Sequence, residues 1–191
     1  MSTRMGVAGV GLGAVAGLAW ACGLRSWMEA LAGPESTFTW ATELGVLVPA
    51  AAAGALLGYA ASLRLGGRPL SRWLVLSPLV TAAVLVVPGY LVDLLTRGLG
   101  SGALLVPMIA MATAYALASG GRPWARALAG ALGAAGFVGI AVLPASMQPG
   151  LGAGTPQGFF VIVQGLSLIA VFSAAAAIPY GPTRSRLGGS A

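Results

Sequence analysis

The chain has 191 residues, of which 58% are hydrophobic and only 7% charged, and its mean hydropathy is +0.91. A water-soluble domain carries about 25% charged residues, so this composition excludes one and points to an integral membrane protein. The net charge of +6 rests on ten arginines and no lysine. These stand between apolar segments rather than in one patch with stacking aromatics, which argues against nucleic acid as a partner and for a role in topology.

Absences narrow the chemistry further. With no histidine, haem–His ligation, most zinc sites and His-based acid–base catalysis are not expected. Cys22 is the single cysteine and cannot form an intramolecular disulfide. Abundant Ala, Gly and Arg without lysine fits GC-rich coding, and so a bacterial plasma membrane. No cofactor or metal is expected.

A helical span needs roughly 20 apolar residues, and the chain divides into six such segments joined by short loops. The first covers residues 5–24 and its helix continues to Ala32, where Gly33-Pro34 stops it. Its first apolar run lacks a well-placed small-residue cleavage site, so a span rather than a cleaved leader is expected. A short PEST loop leads to a second span at 39–63, and the loop 64–72 to a third at 73–95. The turn 96–101 precedes a fourth span at 102–119, and the loop 120–126 a fifth at 127–147. The Gly/Pro-rich loop QPGLGAGTPQG then introduces a sixth span at 159–178. Residues 1–180 read as one transmembrane domain and 181–191 as a disordered cytoplasmic tail.

Positively charged short loops stay cytoplasmic. An inside N-terminus puts Arg4, Arg64, Arg68, Arg72, Arg122, Arg126, Arg184 and Arg186 inside and leaves only Arg25 and Arg97 outside. The expectation is an all-α, six-span, multi-pass bundle with both termini cytoplasmic. Tryptophans 20, 27, 40, 73 and 124, with Tyr90 and Tyr180, then read as anchors at the two interfaces. The four acids, Glu29, Glu35, Glu43 and Asp93, all fall on the outer side, and an interface is the least costly place for a charge.

Two features point to packing. Gly9, Gly13 and Gly17 recur every four residues in the first span, as do Gly54 and Gly58 in the second. Small residues at that spacing let two helices approach closely, here within the chain in preference to a dimer face. Pro49, Pro78, Pro88, Pro107, Pro144 and Pro179 place a proline in every span after the first, giving kinked packing or, as in transporters, broken helices at a substrate site. The pattern LVP followed by GGRPxxR occurs twice, at 47–72 and 105–126. It reads either as a duplicated hairpin or as coding bias in arginine-bearing loops.

Catalytic patterns fail by absence: no His-containing triad is possible, Asp93 is alone in its span, and GLGAG lacks a phosphate loop's lysine. The chain is therefore not read as an enzyme. The remaining candidates for binding or gating are Arg25, Glu29, Glu43, Asp93 with Arg97, and the mid-depth Gln164. Arg25 can pair with Glu29 one turn on, or with Glu43 across the first hairpin. The pairing serves either as an interfacial clamp or as an outward-opening site. Gln164 is expected to bond another helix or to line a pore, and Thr81, Thr113, Ser167 and Ser173 are the other deep polar groups.

The residues Trp20, Arg25-x-Trp27-Met28, Pro34-Glu35 and Phe38-Thr39-Trp40 resemble a block found in uncharacterised multi-pass membrane proteins of high-GC bacteria. The likeness covers the first third of the chain and implies membrane fold and location alone. Where such proteins tend to carry a basic residue after Met28, this chain has Glu29, which speaks against a phosphate- or lipid-binding role for that position. The functional expectation is a non-enzymatic accessory or structural membrane component. The alternative is a small oligomeric transporter or channel with an outward-facing Arg/Glu site. The partners expected are membrane lipids and either a larger membrane protein or further copies of the chain.

Overall fold

The computed structural model describes residues 3–36, 39–86 and 102–180. Every regular element among them is helical. Helix α1, Thr3–Ala32, is followed by a 3-10 turn, Gly33–Glu35, and by α2, Trp40–Leu65. A 3-10 helix, Arg72–Val86, comes next, then α3, Gly102–Ala118, α4, Pro123–Met147, and α5, Pro156–Ala176. Short 3-10 turns at Pro149–Leu151 and Ile178–Tyr180 flank α5. The spans 5–32, 43–65, 123–147 and 156–180 are long and apolar enough to cross a membrane, while 72–83 and 102–118 are shorter apolar helices.

Local signals account for most boundaries. Thirty residues at 1.5 Å each make α1 about 45 Å long, and it stops where Gly33 takes φ +58 ahead of Pro34. Gly67 at φ +64 closes α2 with the paired bonds Arg68 N–H to Leu63 O (2.9 Å) and Gly67 N–H to Arg64 O (3.0 Å), a Schellman cap. Thr155 caps α5, its Oγ1 accepting from Gly158 N–H at 3.0 Å, with Pro156 in the first helical position.

The third segment departs from the sequence reading. Residues 72–86 wind as 3-10 rather than α-helix, and the remainder of the expected span, with Pro88 and Tyr90, lies outside the described residues. Of the prolines inside the helices, Pro78, Pro107 and Pro144 are fully buried and Pro49 is half-buried.

The two GGRPxxR stretches fold differently. The first ends α2 through left-handed Gly67, whereas in the second the chain passes from Arg122, at φ −58 and ψ 136, directly into α4 at Pro123. Arg126 Nε donates to Ala116 O (3.0 Å) at the end of α3, while Arg72 lies over the Trp73 ring, 5.5 Å from its centroid. Matching sequence here does not give matching local structure.

Helix α5 is the most buried of the long helices and α1 the least. One core joins Leu57 of α2, Ala110 and Ala114 of α3, and Ile169, Phe172 and Ala176 of α5. A second joins Trp27 and Leu31 of α1 to Leu151 and Val161. Large apolar side chains cover the outside, among them Val7, Leu12 and Val15 on α1, Leu128 and Val142 on α4, and Phe159 and Phe160 on α5. A surface of that kind is suited to lipid rather than water.

The most extensive helix contact is the antiparallel pairing of α1 with α2. A β-carbon on Gly13 would overlap Gly54 O, and one on Gly54 would overlap Gly13 O. Gly9 faces Gly58 and Ser62, and Gly17 faces Ala50, in the same way. Gly13→Ile should therefore lower the unfolding free energy in detergent by about 2 kcal/mol. Gly11→Ile should not, because a β-carbon there meets nothing within 4 Å. Denaturant titration of the two variants, followed by circular dichroism, measures the difference.

Candidate functional site

The glycine ladder continues along the same face of α1 through Ala21, which is fully buried, to Arg25. Opposite positions of α1 and α2 pair as 9 with 58, 13 with 54 and 17 with 50, so the register carries Arg25 to the start of α2. There Arg25 Nε donates to Glu43 Oε1 at 3.0 Å, and Arg25 Nη1 donates to Ser36 Oγ at 3.3 Å. The Arg25 side chain is 8% exposed and that of Glu43 22%. Burial of a guanidinium requires this kind of pairing, since an uncompensated charge away from water is strongly unfavourable.

Glu29, one turn beyond Arg25, is exposed. The guanidinium reaches across to α2 instead of along its own helix, because the close α1–α2 contact brings Glu43 within bonding distance. Asp93 and Arg97, the other candidate pair, lie outside the described residues.

A second face of α1 carries a run of hydrogen bonds to α5 and the loop before it. Trp20 Nε1 donates to Leu168 O (2.9 Å) and Trp27 Nε1 to Val161 O (2.8 Å). Gln164 Nε2 donates in the opposite direction to Gly23 O (3.2 Å), and Gln148 Nε2 to Leu31 O (2.7 Å) at the end of α1. Gln164 thus bonds a neighbouring helix, while Ser167, three residues on, turns back to Gln164 O at 2.8 Å. Ser173 and Thr81 likewise bond carbonyls of their own helices. Thr113 Oγ1, packed where α4 presents Gly133, is buried with no hydrogen-bond partner among the described residues.

The tryptophans divide into two groups. Trp40, Trp73 and Trp124 are 83%, 66% and 64% exposed, positions suited to anchoring. Trp27 is buried and Trp20 half-buried, with its ring 4.5 Å from that of Phe172. Both are inserted between helices, and for Trp27 it is Gly165 that leaves space beneath the indole. A β-carbon at Gly165 would lie 2.7 Å from Trp27 Nε1.

Ser36, Gln148, Leu151 and Gly165 are the site residues that sequence reasoning missed. Gln148 had a readable signal, an amide beside an apolar span whose N–H groups require acceptors. It passes beside Gly33, whose β-carbon would meet Nε2 at 2.7 Å. That glycine is thus needed both for its positive φ and for its small size.

Among the described residues, no three His, Cys, Asp or Glu side chains gather in a way that would hold a metal ion. A cavity of about 560 Å3 lies between α3 and α4 beside Trp27, lined by apolar groups such as Leu105, Ile109, Leu132 and Ile140. Comparison of the chain with protein-family models, curated proteins and solved structures gives no match.

Removing one member of the Arg25–Glu43 pair should cost more than removing both. Glu43→Gln leaves a buried guanidinium uncompensated, at about 2–3 kcal/mol given the partial exposure of the pair, and Arg25→Met/Glu43→Leu should recover part of that loss. A double-mutant cycle by denaturant unfolding tests this. Trp27→Phe keeps the ring but removes the N–H donor, and should cost about 1 kcal/mol in the same assay.

Proposed function

We propose that the chain is a six-span integral protein of a bacterial plasma membrane, both termini cytoplasmic, acting as a non-enzymatic accessory or structural component. The observation that carries this reading is the state of Arg25. The charge that would serve a transport or gating site is buried, ion-paired to Glu43 and bonded to the loop at Ser36. It clamps the first hairpin. The large cavity beside Trp27 is apolar and offers no charged surface to a passing ion.

The threading draws support from which ends lie together. Ser62 Oγ donates to Met5 O (3.3 Å), and Arg64 Nη1 donates to Ile178 O (2.7 Å). The start of α1, the end of α2 and the end of α5 therefore share one end of the bundle. At the opposite end Gln148 joins the α4–α5 loop to the end of α1. Six alternating spans with arginine-rich loops on the first side fit this arrangement.

The decisive experiment is gentle extraction from the native membrane, followed by native mass measurement and identification of whatever accompanies the chain. The accessory reading expects a stable complex with a larger, unrelated membrane protein, and Arg25→Gln should reduce abundance of both. A homogeneous homo-oligomer that supports solute flux, with flux lost in a folded Arg25→Gln variant, would overturn it in favour of transport.

A further inference from the structure

Three arginines cluster where α2 passes into the 3-10 helix, Arg64 in the last turn of α2, Arg68 in the loop and Arg72 at the start of the 3-10 helix, and the fold assigns two of them. Arg64 donates to Ile178 O, and Arg72 lies over the Trp73 ring. Arg68 is exposed and has no acidic partner among the described residues. Its side chain instead lines the mouth of a groove of about 490 Å3 between α2 and the 3-10 helix, together with Pro69 and Ser71.

Below that mouth the groove becomes apolar. Leu56, Tyr59 and Leu63 form one wall, and Leu74, Ser77 and Val80 the other. Ser77 contributes no free hydroxyl to the wall, because its Oγ donates to Leu74 O at 2.7 Å. The 3-10 winding, in which residues three apart eclipse one another, also raises Trp73, Leu76 and Leu79 as an exposed ridge, of which Trp73 and Leu76 line the groove as well. Along α2 the apolar wall from Leu63 to Leu56 runs about 10 Å at 1.5 Å per residue. Tyr59 and Trp73 are amphipathic or aromatic groups suited to the headgroup level.

We infer that this groove binds an anionic phospholipid, its phosphate on the Arg68 guanidinium with the Ser71 hydroxyl as a second donor, and the first part of one acyl chain between α2 and the 3-10 helix. Charge complementarity selects the headgroup: a cation at the mouth of a helix-lined cleft on an arginine-rich side is the kind of site that holds acidic lipid. The apolar depth distinguishes a whole lipid from free phosphate. The inference rests on membrane embedding and not on the accessory role, so a transporter of the same fold would carry the site too.

The test uses the full chain in mild detergent, with native mass spectrometry after addition of phosphatidylglycerol or phosphatidylcholine of identical acyl chains. Phosphatidylglycerol should be retained about fivefold better, the effect of one arginine at an anionic surface. Arg68→Gln should abolish that preference. Arg122→Gln, the same charge change in the second GGRPxxR loop, should preserve it. Leu76→Trp, which fills the groove from its exposed ridge, should weaken retention of both lipids without lowering the melting temperature. It decides the matter if Arg68→Gln does not fold. Equal losses from Arg68→Gln and Arg122→Gln, unchanged retention in Leu76→Trp, or displacement of the lipid by glycerol phosphate alone would each overturn the assignment.

Discussion

Where Gly13 of α1 meets Gly54 of α2, neither residue has room for a β-carbon, and each backbone carbonyl lies against the other helix's glycine. Helices can come this close only through a continuous strip of small residues, and α1 supplies one every fourth position through Gly9, Gly13, Gly17 and Ala21. In lipid, apolar side chains gain nothing by leaving one hydrocarbon surface for another, so close van der Waals contact becomes the source of specificity. The strip fixes the antiparallel register of the first hairpin. That register determines which charge of α2 faces Arg25.

The ion pair is thus a consequence of the ladder as much as a contributor to it. A guanidinium at this depth has little water to solvate it, and Glu43 together with Ser36 supplies the missing acceptors. On the other face of α1 the same chemistry recurs with neutral groups. Indole and amide N–H donors of Trp20, Trp27, Gln164 and Gln148 all bond main-chain carbonyls across the seam to α5 and its preceding loop. Helical carbonyls have a spare lone pair, so they accept these bonds without breaking the helix. The seam between α1 and α5 is narrow beside the α1–α2 contact, and these directional bonds fix it.

Arginine has a separate use at the ends of helices. Arg126 reaches Ala116 O and Arg64 reaches Ile178 O, each placing a cation where carbonyls lack intrahelical partners and the helix dipole is negative. Arginines at helix ends thus bond carbonyls at the ends of neighbouring elements.

Much of the element order followed from sequence alone. Apolar run lengths marked the helical segments, Gly33-Pro34 ended α1, and the fourfold glycine spacing picked out the strip that meets α2, because these depend on nearest neighbours and helical periodicity. Charge placement likewise brought Arg25 and Glu43 into consideration together. Only tertiary structure decided that Arg25 would choose Glu43 over Glu29, since an i,i+4 pair and a cross-helix pair are equally available until the register is set. Only packing decided that Trp20 and Trp27 would be inserted between helices, because the carbonyls that receive their N–H groups lie more than 130 positions away in the chain. The 3-10 winding of residues 72–86 was also invisible in composition, the apolar run being compatible with either helix.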